Sequence, residues 1–168
     1  KGGMGQVFEA LDLRLNRVVA LKFILGSNPS QRERFLQEAQ AQARITHENV
    51  CQVYEVGEIG TRPYIAMERI VGQPIKEVAR SVPREDLIRL VKEAATGLHA
   101  AHRLGIIHRD VKPANLLVRT TPDGIRQACL MDFGLARDLD EQHSLTETGF
   151  VLGTPAYMSP EQAQGAKA

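Results

Sequence analysis

The chain has 168 residues, 43% of them hydrophobic and 24% charged, which is the usual composition of a folded globular protein. Its formal net charge of +1 gives no reason to expect binding to nucleic acid or to a membrane surface. There is no apolar run as long as a transmembrane helix, no signal-peptide pattern, and no metal-site spacing between Cys51 and Cys129. A reduced, cytoplasmic setting is therefore expected.

The first 71 residues have a mostly strand-like pattern that one helix interrupts. Runs rich in β-branched and aromatic residues predict four strands, at residues 7–11, 18–24, 50–56 and 64–67. A polar turn around Asn16 joins the first two. Residues 31–44 are strong helix formers throughout, and Ser30 with Glu33 three residues later forms a capping box. We therefore expect a β-rich unit with a single helix.

The pattern changes after Gly72. Residues 84–104 predict a long amphipathic helix that ends at Gly105, with its apolar face formed by Leu87, Leu90, Val91, Ala94, Leu98 and Ala101. Short strands are predicted at residues 106–107, 116–118 and 128–131, and a mobile loop at residues 134–157. A β-rich lobe thus joins a helical lobe near residues 68–72, and a cleft between two such lobes is a favoured place for a ligand.

The strongest chemical signal is the run His108-Arg109-Asp110-Val111-Lys112-Pro113-Ala114-Asn115, followed by Asp132-Phe133-Gly134. Phosphoryl transfer needs metal ions on the phosphates, donors that spread charge, and a carboxylate that orients the attacking hydroxyl. Asp110 can accept the hydroxyl proton, and Lys112 can reach the transferring group. Asn115 and Asp132 offer hard oxygen ligands for Mg²⁺. Asp and Asn also favour turns, but both motifs in this order, each after a short apolar strand, make chance a poor explanation.

These motifs resemble those of the eukaryotic-type protein kinases, over nearly the whole chain. The sequences of residues 2–7 and 153–163 most resemble those of the bacterial serine/threonine kinases of that type. The resemblance implies an α+β, bilobal protein-kinase-like fold. Its β-rich N-lobe would span residues 1–71, and residues 72–168 would form an incomplete helical C-lobe. The resemblance starts after the first loop glycine and stops within the C-lobe, so we expect an internal segment of a longer protein.

The resemblance also implies a nucleotide site for ATP with Mg²⁺ or Mn²⁺. The glycine-rich loop that covers the phosphates matches Gly2, Gly3 and Gly5, although a glycine cluster near a terminus is often only a flexible tail. Lys22 would be held against the phosphates by an ion pair with Glu38, the alternative being a lysine that snorkels at a strand edge. The adenine pocket matches Val7, Ala20 and Leu117 on its faces, Met67 as gatekeeper, and the backbone of the hinge from Glu68 to Ile70.

Two further features bear on specificity and control. Lys112 and Thr154 match residues typical of serine/threonine kinases rather than tyrosine kinases. Arg109 directly precedes the catalytic aspartate, an arrangement found in kinases that are controlled by phosphorylation of the activation loop. The resemblance then implies phosphorylation at Thr146 or Thr148, with Arg109 and Arg137 as the groups that bind the phosphate.

We therefore predict a serine/threonine protein kinase segment that acts on protein substrates, without nucleic acid or membrane contact in this region. Dimerisation of the parent protein, and its membrane anchorage through segments outside this chain, are left open. The alternatives are a nucleotide-binding pseudokinase scaffold and a small-molecule kinase of the aminoglycoside-phosphotransferase type. Gln42 departs from the family, which usually has a small or apolar residue there. Its amide would either bind the backbone or weaken the active position of the helix.

Overall fold

An antiparallel sheet of four strands forms the first part of the protein. The computed structural model describes residues 5–24, 29–60, 62–133 and 155–164. The sheet has the order β1-β2-β4-β3 and consists of β1 (Gly5–Asp12), β2 (Arg17–Ile24), β3 (Val53–Ile59) and β4 (Arg62–Glu68). Asn16 adopts a φ of 48° in the β1–β2 turn, a left-handed conformation that asparagine tolerates well. The predicted strand pair and its turn are therefore confirmed.

Helix α1 (Pro29–Ala43) packs against one face of this sheet. Apolar residues of the helix and the sheet form the upper cluster with two residues from other segments: Phe35, Ala39, Cys51, Val53, Ile65, Met67 and Cys129. All seven are nearly inaccessible to solvent. The helix begins at Pro29, one residue before the predicted cap Ser30, so the predicted start is slightly wrong. Proline is favoured in the first turn of a helix, where its missing N–H costs nothing.

A second, three-stranded sheet and a long helix form the other lobe. The sheet has the order β5-β6-β7, with β5 (Gly72–Pro74), β6 (Leu116–Thr120) and β7 (Arg126–Leu130). The helices are α2 (Ile75–Val78), α3 (Arg84–His102) and the short α4 (Pro160–Ala163). Within the described ranges no helix is both long and apolar enough to cross a membrane. The expected bilobal α+β organisation is confirmed.

Two predicted strands differ from the structure. Val50 was expected to open a strand of the N-lobe sheet, but β3 starts at Val53 and Val50 instead forms an isolated parallel bridge with Leu130. The residues before β3 therefore pair with the other lobe. Ile106 and Ile107 are not a strand: Ile106 packs on an apolar cluster, and Ile107 is largely exposed. A short apolar run without a partner strand does not form a ladder.

The loop between α1 and β3 joins the two lobes through backbone hydrogen bonds. Asn49 accepts from the Leu130 N–H at 2.8 Å, and the Cys51 N–H donates to the Leu130 carbonyl at 2.8 Å. The buried Asn49 side chain adds a bond from Nδ2 to the Ala128 carbonyl at 2.9 Å. The end of β7 is thus bonded directly to the loop that follows α1.

Gly72 allows β5 and β6 to lie unusually close together. We expect Gly72→Ala to lower the free energy of unfolding by about 1–3 kcal/mol, because its Cβ would lie 2.4 Å from the Val118 carbonyl oxygen. Denaturant unfolding of the full-length protein measures the change. Gln73→Ala, at the next and exposed position of the strand, is the matched control. Equal stability of the two variants would contradict this account of the packing.

Gln42 is a buried polar residue between two apolar clusters. It lies three residues after Ala39 of the upper cluster and three before Ile45, which packs with Phe133 in another cluster. Its side chain is 2% exposed, and its Oε1 has no hydrogen-bond donor within the part of the chain that is described. Of the two alternatives for its amide, an Oε1 bond from the backbone is therefore not made.

Replacing this acceptor by an apolar group should stabilise the fold. We expect Gln42→Met, which keeps the length of the side chain, to raise the free energy of unfolding by about 1 kcal/mol, since an unpaired buried acceptor costs about 1–3 kcal/mol. Gln40→Met on the exposed side of α1 is the control and should change stability by less than about 0.5 kcal/mol. Loss of stability in Gln42→Met alone would show that Oε1 is satisfied after all.

Candidate active site

Asp110 lies at the centre of the candidate catalytic loop. Its Oδ2 accepts hydrogen bonds from Lys112 Nζ at 2.6 Å and from Asn115 Nδ2 at 2.8 Å. A 3₁₀ turn at Pro113–Asn115 brings the Asn115 amide back, so that Nδ2 also donates to the Asp110 carbonyl at 2.9 Å. Among the described contacts Oδ1 makes no hydrogen bond. One oxygen is therefore fixed by two donors, and the other is available to accept a proton.

Met131 joins this loop to the segment after β7. Its N–H donates to the Asn115 carbonyl at 2.9 Å, and its carbonyl lies 3.0 Å from Nε2 of His108. The Asp110 N–H lies 3.3 Å from Nδ1 of the same ring, which fits a neutral imidazole with its proton on Nε2. Burial lowers the pKa of His108 and favours that neutral form. The ring stacks on Phe133 at a centroid distance of 4.4 Å.

Asp132 faces Lys22 across the cleft between the lobes. Lys22 Nζ lies 2.7 Å from Asp132 Oδ1, and Asp132 adopts a φ of 53°. The Met131–Asn115 bond places Asn115 beside this residue, and both protons of its amide nitrogen point to Asp110, which leaves the amide oxygen to bind a cation. Mg²⁺ usually takes one or two protein oxygens together with phosphate and water. Asn115 and Asp132 therefore fit the metal ligands that the sequence predicts.

The ion pairs of the cleft differ from the predicted arrangement. Lys22 was expected to pair with Glu38, but it pairs with Asp132, and Glu38 pairs with Arg109 at 3.6 Å. The backbone of Arg109 has a φ of 59°, and its carbonyl accepts a hydrogen bond from Gln162 Nε2 at 3.0 Å. Glu38 therefore pairs with Arg109 of the catalytic loop and not with Lys22 of β2.

One face of the N-lobe sheet carries most of the predicted nucleotide-binding side chains. Strand register pairs Val7 with Lys22, Lys22 with Ile65, and Ala20 with Met67. Residues directly opposite each other, and residues two apart on one strand, lie on the same face of a sheet. Ile65 and Met67 belong to the upper cluster under α1, so this face looks toward the cleft. Val7, Ala20 and Lys22 therefore share the side that the nucleotide was expected to occupy.

The lower side of the predicted pocket comes from β6, and its back from the hinge. Leu117 pairs with Cys129, a member of the upper cluster, so its side chain lies on the face of β6 toward the N-lobe. At the hinge, Ile70 packs against the same cluster and the Glu68 N–H donates to the Gln52 carbonyl at 2.8 Å. Burial raises the pKa of the Cys51 thiol far above its usual range, so the thiol stays protonated, 3.5 Å from the Glu68 carbonyl.

Several predicted residues lie outside the described part of the chain, and nothing about their placement follows. Gly5 begins β1, whereas these others are not described: Gly2, Gly3, Arg137, Thr146, Thr148 and Thr154. Sequence reasoning also gave no role to Gln162, which contacts the catalytic loop through Arg109. The signal was present, because Ser159 and Gln162 have the spacing of a capping box, and they form one at the start of α4.

Known proteins with similar sequences and folds are protein kinases. The protein kinase domain family matches residues 1–168. The chain is 40% identical over 174 residues to the serine/threonine-protein kinase PknB of Mycobacterium leprae, which covers 98% of this chain and 27% of that relative. It is 39% identical over 175 residues to PknA of Mycobacterium tuberculosis, covering 98% of this chain and 39% of PknA. This chain thus spans well under half the length of either relative.

A solved structure gives the same result for the fold. The kinase domain of PknI from Mycobacterium tuberculosis superposes with a TM-score of 0.74 at 26% sequence identity, over 100% of this chain and 63% of that one. The PknI kinase domain thus shares the fold of this chain, and the protein kinase domain family matches its whole sequence. The chain belongs to the protein kinase domain family.

Proposed function

We propose that this chain transfers the γ-phosphoryl group of ATP to serine or threonine hydroxyls of protein substrates. The observation that carries the proposal is the hydrogen-bonded set of Asp110, Lys112 and Asn115, linked through Met131 to Asp132. A carboxylate, an ammonium group and two cation-binding oxygens within one bonded unit are the parts that phosphoryl transfer requires.

Asp110 would orient the acceptor hydroxyl. Its Oδ2 is fixed by Lys112 and Asn115, so Oδ1 is the oxygen that would accept the hydroxyl proton as the new O–P bond forms. The Lys112 ammonium group, 2.6 Å from Oδ2, would sit beside the acceptor and spread the negative charge of the transferring phosphoryl group. Positioning and charge stabilisation supply most of the catalysis in this reaction class.

The phosphate end of the nucleotide would meet Lys22, Asn115 and Asp132. Asn115 and Asp132 would hold Mg²⁺ or Mn²⁺, which neutralises charge on the β- and γ-phosphate oxygens when bound. Phosphate oxygens would also compete with the Asp132 carboxylate for the Lys22 ammonium group, now 2.7 Å from it. A bound nucleotide would thereby replace Asp132 as the ion-pair partner of Lys22.

Serine/threonine specificity is supported by Lys112 and by the similarity to the serine/threonine-protein kinases PknB and PknA. The contact between Lys112 and Asp110 supports this, since it would put a cation at the acceptor side of the site. A pseudokinase scaffold would not need that set of catalytic groups intact. A small-molecule kinase would be expected to phosphorylate a small compound and not a protein. Phosphorylation of protein substrates would therefore distinguish a protein kinase from a small-molecule kinase.

Two carboxylate substitutions test the proposed roles in the full-length protein. Asp110→Asn should lower the rate of protein phosphorylation about a hundredfold or more while leaving ATP binding within a few-fold, because Asp110 contacts the acceptor and not the nucleotide. Asp132→Asn should instead weaken binding of Mg²⁺–ATP. Phosphate transfer to a generic protein substrate and equilibrium ATP binding measure the two effects, and phosphoamino-acid analysis identifies the acceptor.

The control is Asp123→Asn, which removes a carboxylate from an exposed turn far along the hairpin from the catalytic loop. It should match the wild type in transfer and in binding. Transfer by Asp110→Asn at the wild-type rate would be inconsistent with the assigned role of this residue.

We also propose that phosphorylation of Thr146 or Thr148 controls activity. A phosphate adds about −1.5 to −2 charge, which guanidinium groups bind in bidentate fashion. Arg109 already has an acidic partner in Glu38 at 3.6 Å, so a phosphate would compete with Glu38 for this cation. Arg137 would be a second phosphate ligand.

Phosphosite mapping tests this control. Mass spectrometry of the active protein should find phosphate on Thr146 or Thr148, and the double variant Thr146→Ala/Thr148→Ala should lose most of its activity. Ser144→Ala, in the same segment, is the control and should retain activity. Full activity of the double variant would disprove the proposed switch.

A further inference from the structure

A polar cluster lies behind the hinge, centred on Arg119 of β6. Its guanidinium group makes three hydrogen bonds to three different residues. One nitrogen, Nη1, donates to the Glu68 carboxylate, Nη2 donates to the Glu48 carbonyl at 3.1 Å, and Nε donates to the Gln127 amide oxygen at 2.9 Å. Gln127 Nε2 closes the cluster with a bond of 2.9 Å to the Glu48 carboxylate. All three nitrogens of the guanidinium group are therefore engaged.

The partners of Arg119 come from separate parts of the fold. Glu68 is the last residue of β4 and the first of the hinge, Glu48 lies in the loop between α1 and β3, and Gln127 is on β7. The Arg119 side chain of the C-lobe is thus hydrogen-bonded both to the hinge and to the loop that follows α1.

The backbone of Arg119 also holds the other end of the segment that connects the lobes. Residues 68–72 form this connecting segment, and Gly72 at its end pairs with Arg119 in the β5–β6 ladder. A Cβ on Gly72 would lie 3.2 Å from the Arg119 Cα, so the approach of the two strands is close. The side chain of Arg119 binds the first residue of the connecting segment, and its backbone lies opposite the last residue in the β5–β6 ladder.

The three-way hydrogen bonding of Arg119 is more important for positioning its partners than the charge of the Arg119–Glu68 ion pair is for stability. The side chains of Arg119 and Glu68 are 23% and 28% exposed, and a single ion pair with such exposure contributes little to stability. A planar guanidinium group that donates in three directions, however, fixes the relative positions of its three acceptors. A lysine could reach one or two of them but lacks the fork that binds all three.

We propose that Arg119 is a positioning residue for the nucleotide, acting through the hinge; this rests on the proposed kinase function. By holding Glu68 from behind, Arg119 orders the backbone groups of Glu68 to Ile70 that would bind adenine. Pre-ordering a binding segment lowers the cost of binding. The catalytic loop has its own bonds from Lys112 and Asn115, so the chemical step should not depend on this cluster.

The test compares substitutions of Arg119 and Glu68 in the full-length protein, using Mg²⁺–ATP as the probe. Arg119→Met should raise the ATP Kd and KM about fivefold or more and leave kcat within about twofold, because only nucleotide positioning is lost. Arg119→Lys should fall between Arg119→Met and the wild type. Glu68→Gln should also raise KM, and the double variant Arg119→Met/Glu68→Gln should be no worse than the more affected single variant, as expected for two residues in one interaction.

Arg126→Met is the matched control, since it removes an arginine from the same hairpin at an exposed position of β7. It should keep the wild-type Kd, KM and kcat. Thermal melting of every variant shows whether Arg119→Met affects only the overall stability.

Three results would overturn the proposal. They are an ATP Kd and KM for Arg119→Met within twofold of the wild type, a fall in kcat with Kd unchanged, and equal effects of Arg119→Met and Arg126→Met. If the wild type binds ATP but transfers no phosphate, the proposed function fails, and the Kd values of the variants still decide the role of Arg119. A wild type that binds no ATP would overturn both.

Discussion

The two hydrogen bonds of the Met131 backbone hold the candidate site together. Its N–H donates to the Asn115 carbonyl, and its carbonyl lies against His108, so the catalytic loop is bonded directly to the segment with Asp132. The His108 ring can serve both neighbours only while it is neutral, and its burial lowers the pKa in that direction. The buried His108 imidazole beside Phe133 thus links Asp110 to Met131, the residue before Asp132.

The charged residues of the cleft form two ion pairs, each with one residue from either lobe. Lys22 with Asp132 and Glu38 with Arg109 are two ion pairs of opposite polarity across the same cleft. In a Lys22–Glu38 pair, which is the arrangement that the sequence predicts, Asp132 and Arg109 would each lose the partner that they have here. A nucleotide with its metal, which brings both signs of charge, is the kind of ligand that would decide between them.

The parts of the fold with a strong local signal could be predicted from the sequence. The turn at Asn16, the strand with Lys22 and the helix of residues 84–104 lie within a few residues of their expected positions, since alternation and helical periodicity are properties of each segment alone. The run from His108 to Asn115 likewise predicted that Asp110, Lys112 and Asn115 act in one site, and the three are hydrogen-bonded to one another through Asp110. Features that depend on a distant partner were missed: β5 exists only as the partner of β6, and Val50 bridges to the other lobe. The partner of Lys22 was missed for the same reason, because the sequence does not tell which of two carboxylates is nearer.

The lobes are connected by two routes, and this limits how α1 can move. One route is the connecting segment of residues 68–72, and the other is the loop after α1, which is bonded to Leu130 through Asn49 and Cys51. Arg119 bonds to both routes. The C-terminal end of α1 is therefore fixed to the C-lobe, while Glu38 lies more than a turn away from that end. Sliding of the whole helix would strain these bonds to Leu130, whereas a change of partner through movement of the Glu38 or Arg109 side chain would not. Gln42 lies next to that end of the helix, and within the described residues its buried Oε1 has no hydrogen-bond donor, so this end of α1 contains a polar group that the core leaves unsatisfied.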